Sequence, residues 1–360
     1  RIAQPAFDRK RIAQFAEAMV AATDEMVGRW EAAADRGDHV DVDAEMMALT
    51  LRIVGECLMS TDLTDDADRV SAALKTLLMA VLDRVSRPVL LPLDIPTPGN
   101  LALRRALSAL DDMVLRIIQE RRTGKTRRDD LLELLVHAVD ADTGAAMDDQ
   151  QLRDEVITMV LAGHETTSNG LTWAFHLLSK FPAVAQRCRE EVAVVLGERS
   201  PTAADLPHLP YCRATVEESL RLFPPVWMVA RSVRHDVQLG GYDIPPGWLV
   251  FISPWVMHRD PRFWKNPEGF RPERFLGDEI KGLPKASFIP FVAGPRQCIG
   301  AGFARMEAQL ILIRILQKFE LELVPHRRIE LQPMVTLRPR FGMPMFPRRV
   351  TLPAAPHAAE

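Results

Sequence analysis

The segment over residues 152–181 constrains the fold of this chain most strongly. It is long and rich in apolar residues, and it ends before Pro182, a residue that disfavours helical backbone at the position preceding it. A helix of about 30 residues spans roughly 45 Å, the width of a whole domain. Because a helix that is apolar nearly all round is a buried helix, the segment predicts a long central helix around which the other elements pack.

The residue pattern changes near position 223. Before it, apolar and charged residues alternate at helical spacing, whereas after it Gly and Pro punctuate short β-branched and aromatic runs. Helices are therefore predicted over 8–35, 44–60, 66–86, 99–122, 129–140 and 299–318, and strands over 226–233, 236–244 and 248–252. A loop over 140–147, an irregular stretch over 254–290 and a frayed tail over 353–360 complete the pattern. The sequence predicts one mainly α unit with a small β portion.

Composition excludes several classes of protein. The 360 residues are 47% hydrophobic and 26% charged, which is typical of a globular protein with a large core. The net charge of -3 offers no basic face for nucleic acid. No apolar run reaches transmembrane length. The four cysteines form no Cys-x-x-Cys pair, so neither a disulfide framework nor a zinc knuckle is indicated, and a reducing, cytoplasmic location is expected.

Cys298 lies in the sequence Phe-Val-Ala-Gly-Pro-Arg-Gln-Cys-Ile-Gly over 291–300. Gly294 and Gly300 permit close approaches that a Cβ would forbid. The predicted helix after Cys298 directs its free N–H groups at the sulfur, which favours a thiolate. Arg296 has the fork geometry that pairs with a carboxylate. An isolated cysteine is most often a buried structural residue, but this setting favours a thiolate ligand of haem iron.

The central helix carries small residues on one face. Met159, Ala162, Gly163, Thr166 and Gly170 share that face through their helical spacing. A stripe of small side chains allows a flat group to lie close against the helix. When the stripe is taken alone, packing of a second helix is the better explanation of it.

Two adjacent polar residues, Glu165 and Thr166, lie within this apolar helix. Burying them costs free energy unless they have a role, and an acid beside a hydroxyl can relay protons to a buried reactive oxygen. The run from His164 also begins like the zinc-peptidase pattern His-Glu-x-x-His. Position 168 is Ser, however, and a zinc peptidase is therefore rejected.

A third constellation is Glu218 with Arg221, three residues apart on a predicted helix. On a surface such a pair contributes little. With Arg274, within a Pro-Glu-Arg-Phe run, the pair is predicted to form a buried network of three residues that would lock the irregular stretch onto the helices.

Together these motifs resemble those of the cytochrome P-450 haem-thiolate monooxygenases. The family's Phe-x-x-Gly-x-Arg-x-Cys-x-Gly is matched over 291–300, and its Ala/Gly-Gly-x-Asp/Glu-Thr-Thr/Ser over 162–167. Its Glu-x-x-Arg is matched over 218–221 and its Pro-Glu-Arg-Phe over 272–275. The resemblance extends over almost the whole chain and implies the P-450 fold, with a long central helix over the haem and small mixed sheets.

The resemblance also implies roles for individual residues. Cys298 would be the axial ligand of the iron in haem b, Thr166 and Glu165 would deliver protons, and Glu218, Arg221 and Arg274 would form a structural triad. Further haem contacts are expected from Arg296, Arg231, Phe291, Gly294, Ala162 and Gly163. Substrate contacts are expected from Met159, Val226, Trp227, Met228, Met334 and Val335, the last two within a C-terminal turn at 334–337.

The beginning of the chain departs from the family pattern. The family's earlier helix with Trp-x-x-x-Arg is not found, and Trp30 is followed four residues later by Ala34. Residues 1–7 resemble the end of that helix. We therefore expect residues 1–360 to form a single P-450 domain that lacks its N-terminal helices.

The leading hypothesis is a monomeric monooxygenase that inserts one atom of O2 into an apolar small molecule. No flavin or iron–sulfur segment is recognised, so a separate ferredoxin, flavodoxin or reductase would supply electrons. Two alternatives stay open: a haem-thiolate enzyme that uses or rearranges peroxides, and an inactive haem-binding fragment.

Overall fold

The computed structural model describes residues 7–61, 67–86, 91–124, 130–137, 144 and 146–352. The helices are α1 (Arg9–Gln14), α2 (Ala16–Arg36), α3 (Val42–Met59), α4 (Ala67–Ser86), α5 (Pro98–Thr123), α6 (Leu131–His137), α7 (Asp149–Lys180), α8 (Pro182–Val195), α9 (Pro210–Leu222), α10 (Pro254–Met257) and α11 (Ala301–Lys318). The strands are β1 (Val40–Asp41), β2 (Val229–Ser232), β3 (Val237–Leu239), β4 (Tyr242–Ile244), β5 (Leu249–Ile252), β6 (Phe319–Leu323), β7 (Leu331–Pro333), β8 (Leu337–Pro339) and β9 (Pro344–Arg349).

Helix α7 is the predicted central helix. It runs for 32 residues and begins where the Asp148 side chain accepts a hydrogen bond from the Gln151 N–H at 2.7 Å. Helices α3, α5, α9 and α11 all pack against it. The prediction of a long buried helix is confirmed, and its N-cap extends it three residues further toward the N-terminus than the apolar run indicated.

Two predicted elements are each divided in the structure. The helix predicted over 8–35 is interrupted at Phe15, whose N–H bonds to the Ile12 carbonyl only three residues back and whose ring packs edge-on against Phe303. The strand predicted over 236–244 is a hairpin of β3 and β4, because Gly240 and Gly241 form a turn with φ of +60° and +85°. Each of the two was predicted as one continuous element, and both predictions were wrong in that respect.

The remaining predictions differ mainly at their ends. Helices α3, α4, α5 and α11 start or end within about three residues of the predicted bounds. Helix α6 lies within the helix predicted over 129–140, whose two ends fall outside the described residues. The proposed resemblance of residues 1–7 falls almost wholly outside the described ranges, as do the predicted frayed tail over 353–360 and most of the loop over 140–147.

The β portion is small and antiparallel. One sheet has the order β1-β9-β6, and three further pairs join β2 to β5, β3 to β4 and β7 to β8. Most buried apolar side chains form one core around α2, α3, α7 and α11, with the indoles of Trp30 and Trp173 both 1% exposed. Within the described ranges, no helix has the length and apolarity to cross a membrane.

Candidate active site

A cavity of about 260 Å³ lies between α7 and the segment that leads into α11. Its walls are mostly apolar. Helix α7 lines it with Met159, Ala162, Gly163, Thr166, Thr167 and Gly170. The facing segment lines it with Phe291, Val292, Cys298 and Gly300, and the start of α11 lines it with Phe303 and Ala304. The small-residue face of the central helix and the cysteine loop, which are far apart in sequence, therefore border one space.

The loop that carries Cys298 is held by its own backbone. The Cys298 N–H donates to the Phe291 carbonyl at 3.0 Å, and the Gln297 N–H donates to the Gly294 carbonyl at 3.0 Å. Gly294 has a φ of +78°, a conformation in which an L side chain is strained. Val292 adopts a φ of +60° despite its branched side chain, so this loop also stores backbone strain.

The electrostatics of Cys298 differ from the sequence-based expectation. Its side chain is exposed where the loop borders the cavity. Desolvation by the surrounding protein raises the pKa of the Cys298 thiol, while the Gly300 N–H and the Arg305 cation oppose that rise. The helix start does favour a thiolate, as predicted, but α11 begins only at Ala301, and the apolar surroundings outweigh its effect.

Arg305 is a site residue that the sequence reasoning missed. Its guanidinium lies 4.3 Å from the centroid of the Phe291 ring. Its Nε donates to Glu217 at 2.5 Å, which fixes the cation near the cysteine loop. The sequence did contain a signal for it, because Glu217 and Glu218 are adjacent and a partner was predicted for Glu218 alone.

The α7 wall serves two purposes. Ala162 is exposed at the cavity, and the Thr166 hydroxyl donates to the Ala162 carbonyl at 2.6 Å. Gly163 also lines the cavity, yet a Cβ built on it would lie 3.0 Å from Cγ2 of Val54 on α3. Close packing of α3 therefore requires a small residue at Gly163, so the helix-packing explanation of the stripe applies at that position.

Glu165 points to a different neighbour from Thr166. Its Oε1 accepts a hydrogen bond from the Thr336 hydroxyl at 2.6 Å, and the residue is 3% exposed. Burial raises the pKa of the Glu165 carboxyl, and both Thr336 and the charge of Arg338 oppose the rise. Glu165 is absent from the cavity lining, so the two members of the predicted relay are neighbours in sequence that face different surroundings.

The predicted triad residues lie together and are fully buried. Arg221 donates to both oxygens of Glu218, at 2.7 and 2.8 Å, and Arg274 donates to Oε1 of Glu218 at 3.2 Å. Arg221 also donates to three backbone carbonyls, at His258, Pro267 and Gly269. This network joins α9 to the irregular stretch over 254–290.

His258 connects the triad to the cysteine loop. Its carbonyl accepts from Arg221 at 2.8 Å, and its Nε2 accepts from the Ile289 N–H at 2.9 Å. The Ile289 carbonyl in turn accepts from Val292. Burial lowers the pKa of His258 to about 3, so the ring is neutral at ordinary pH and its Nε2 remains an acceptor.

Comparison with known proteins agrees with this geometry. The cytochrome P450 family model matches residues 1–346. The chain is 36% identical to cyclooctatin synthase of Streptomyces melanosporofaciens, over 94% of this chain and 73% of that protein. It is 35% identical to pentalenene oxygenase of Streptomyces avermitilis, over 98% of this chain and 76% of that protein.

A crystal structure of a mutant cytochrome P450DA haem domain superimposes with a TM-score of 0.89. The sequences are 28% identical, and the match covers 99% of this chain and 78% of that one. The chain belongs to the cytochrome P450 family. It is an oxidoreductase of the monooxygenase type, since its relatives include cyclooctat-9-en-7-ol 5-monooxygenase of Streptomyces melanosporofaciens.

The residues of this cytochrome P450 fit the haem-thiolate cofactor of the family. A cysteine sulfur borders an apolar cavity, and the facing helix presents the small residues Ala162, Gly163 and Thr166 to it. The left-handed Gly294 holds the loop in a shape that a Cβ would strain. Cys298 would hold the iron, with Phe291 and the small α7 residues lining the space around the ring.

Several residues predicted to contact haem or substrate are absent from the lining of this cavity. Val226 and Met159 line it, whereas Trp227, Met228, Met334, Val335, Arg231, Arg296 and Gly294 do not. Trp227 instead donates to the Met334 carbonyl at 2.9 Å, which ties the two predicted substrate segments together. Arg231 donates to the carbonyl of its neighbour Ala230. Direct contacts of these residues with haem or substrate stay predictions.

A second buried carboxyl lies behind the cavity wall. Glu307 on α11 is 0% exposed and faces the Thr167 hydroxyl of α7. Burial raises the pKa of Glu307 to about 8. The Cys57 thiol of α3 also faces Glu307. Burial raises the pKa of that thiol, and the neighbouring Glu307 carboxyl raises it further. Sequence reasoning did not single out this cluster, because its three members come from three separate helices.

Proposed function

We propose that this cytochrome P450 binds haem b and inserts one oxygen atom of O2 into an apolar organic substrate. The observation that carries the proposal is that Cys298 and Thr166 border one apolar cavity from two different elements. When bound, the haem supplies dioxygen activation, and a thiolate ligand favours cleavage of the O–O bond. The protein's own residues supply the ligand, the apolar walls and the protons.

Thr166 would act first as a hydrogen-bond acceptor. Its one hydroxyl proton is donated to the Ala162 carbonyl, so its lone pairs are available to the cavity. A hydroxyl in this state can hold a protonated group in place. It donates in turn only after its bond to the helix is released.

Glu165 would be the proton source for Thr166. Burial raises the pKa of its carboxyl, which favours the protonated form that a general acid needs. Because Glu165 is bonded to Thr336 and does not line the cavity, proton delivery requires its carboxyl to move toward Thr166 or to reach it through water.

The substrate would be rich in hydrocarbon. Apart from Thr166, Thr167 and Cys298, the cavity lining consists of apolar side chains, glycine and proline, which favour an apolar ligand. Two relatives are named for pentalenene and cyclooctat-9-en-7-ol, an alkene and an alkenol. Met159 and Val226 would contact the substrate, and Trp227, Met228, Met334 and Val335 would complete the pocket.

Electrons would come from a separate ferredoxin, flavodoxin or reductase. The described structure contains no cluster of three or more Cys, His, Asp or Glu side chains suited to a metal, and its four cysteines are free. An iron–sulfur centre needs several such ligands. We further propose that the protein is a monomer and that it is cytoplasmic. The location is proposed because free cysteines are typical of a reducing compartment.

The ferrous–CO spectrum of the full-length protein tests the haem-thiolate assignment. We expect a thiolate-type Soret band that Cys298→Ser abolishes. An imidazole-type band in the unmodified protein would contradict the proposal.

Thr166→Ala tests the proton relay. We expect haem to stay bound while reducing equivalents are diverted to hydrogen peroxide, with product per NADPH falling about 10-fold. Thr166→Ser retains the hydroxyl and should preserve most of the coupling. Unchanged coupling in Thr166→Ala would count against the relay, and efficient turnover with peroxide alone would favour the peroxide-using alternative.

A further inference from the structure

Three polar side chains form a directional hydrogen-bonded chain beside α7. Asn169 Nδ2 donates to Thr336 Oγ1 at 3.1 Å, and the Thr336 hydroxyl donates to Glu165 Oε1 at 2.6 Å. Asn169, Thr336 and Glu165 are 0%, 4% and 3% exposed. Because an amide nitrogen only donates and a hydroxyl has one proton, the chain runs from Asn169 to Glu165.

The backbone around Thr336 is fixed on both sides. The indole of Trp227 donates to the Met334 carbonyl at 2.9 Å, and the indole of Trp173 donates to the Leu337 carbonyl at 3.0 Å. The Leu337 N–H donates to the Pro225 carbonyl at 2.8 Å, and Pro225 lines the cavity. The position of the Thr336 hydroxyl is therefore set by the segment that also borders the cavity.

We propose that Thr336 is the positioning residue for Glu165 and links the state of the 334–337 turn to proton delivery. Its hydroxyl engages Oε1, and among the described residues no hydrogen bond is made to Oε2. Oε2 is thus the oxygen that gains a proton from solvent and passes it toward Thr166, with no other bond formed or broken. This inference rests on the proposed role of Glu165 as the proton source.

The surrounding charges determine how the carboxyl responds. Arg338 of β8 faces Glu165, and Asp43 of α3 lies 3.7 Å from Arg338. His164 precedes Glu165 on α7, and burial lowers its pKa to about 4, so it is neutral near pH 7. Arg338 and the Thr336 hydroxyl are the groups that favour the carboxylate. Removing the hydroxyl leaves Arg338 as the one opponent of burial, and the carboxyl then holds its proton to higher pH.

Infrared difference titration of the haem-loaded, full-length protein measures this response directly. The band of the protonated Glu165 carboxyl is identified by its loss in Glu165→Gln. In Thr336→Val we expect the midpoint of that band to move up by about one pH unit, the size expected for a lost hydrogen bond to a charged group. Thr336→Ser keeps the hydroxyl and should titrate as the unmodified protein does.

Coupling of NADPH to product provides the second readout. Its loss at alkaline pH should move upward in Thr336→Val by the same amount, while the CO spectrum stays unchanged. Thr336→Ala replaces the valine variant if that protein does not fold. Identical midpoints in Thr336→Val, Thr336→Ala and the unmodified protein would overturn the proposal, as would equal shifts in the valine and serine variants.

Glu165→Gln separates this inference from the function on which it rests. If Glu165→Gln leaves coupling unchanged, the relay itself is refuted. If Glu165→Gln uncouples the reaction while the Thr336 variants behave as the unmodified protein does, the relay stands and the positioning role of Thr336 is refuted.

Discussion

Glu218 and Glu307 are both completely buried, yet their surroundings are opposite. Glu218 receives four N–H donors: two from Arg221, one from Arg274 and the backbone N–H of Arg271. Glu307 faces the Thr167 hydroxyl and the Cys57 thiol, and burial raises its pKa to about 8. The comparison shows that the number of hydrogen-bond donors around a buried carboxyl matters more than how deeply it is buried. Several donors allow a buried carboxyl to join elements through salt bridges, whereas few donors favour its protonated form.

The two regions also differ in their backbone. The triad region satisfies carbonyls at His258, Pro267 and Gly269 with Arg221 alone. The cavity region instead contains Val292 in a left-handed conformation and a thiol whose pKa is raised by its surroundings. A left-handed residue also lies beside the triad, at Asn266, but asparagine tolerates this conformation far better than a β-branched valine does. A strained valine and a desolvated thiol are therefore both found where chemistry is proposed.

Removing Arg221 from the triad tests the role of the donors around Glu218 and should have the largest effect on stability. Arg221→Ala leaves Glu218 buried with half of its donors, so we expect a loss of about 3–5 kcal/mol in the free energy of unfolding. Denaturant titration measures the loss. Arg262→Ala removes the exposed partner of Asp260 and serves as the control, with little expected change. Equal effects of the two substitutions would show that the network does not stabilise the fold.

Glu307→Gln tests the buried carboxyl that lies behind the cavity wall. The folded pKa of about 8 lies above the ordinary value near 4, so the unfolded state ionises first as pH rises. The stability contributed by protonated Glu307 is complete below about pH 4 and is lost by about pH 8. We therefore expect the variant to gain stability relative to the unmodified protein by up to about 4 kcal/mol between pH 5 and 8.

Thermal or denaturant unfolding at several pH values measures that gain. Glu198→Gln, at an exposed position, is the matched control and should show no such trend. A stability difference independent of pH would mean that Glu307 is ionised in the folded protein.

The smallest expected effect concerns the strained loop. Val292→Gly relieves the left-handed conformation, and this gain is largely offset by the greater backbone entropy of glycine when unfolded. We expect a net stabilisation below about 1 kcal/mol. Val194→Gly, at an exposed site on α8, should instead destabilise by about 0.5–1 kcal/mol. A loss at Val292 as large as at Val194 would show that no strain is stored there.

Local patterns were sufficient to predict much of this molecule. The central helix follows from an apolar run, and the contact of Glu218 with Arg221 follows from their spacing on one helix. By contrast, the partner of Glu165 is 171 residues away in sequence, and Asn169 and Thr336 are 167 residues apart. Periodicity contains no information about such partners.

The electrostatics of the cysteine loop could be predicted only in part, for a similar reason. The helix start and its N–H groups can be read from the sequence, but desolvation depends on how α7 and α11 pack around the sulfur. The same packing determines the proton affinity of Glu307, whose neighbours come from α3 and α7.

His258 has a consequence for the order in which the molecule assembles. The start of the cysteine loop is bonded to a ring whose own backbone is held by Arg221. We therefore expect the loop to take its final position once the stretch around His258 has docked on α9. During local unfolding the order of events is reversed. Detachment of the stretch around His258 releases the sulfur-bearing loop while the long helices persist. The cofactor's spectrum would therefore report damage earlier than circular dichroism does.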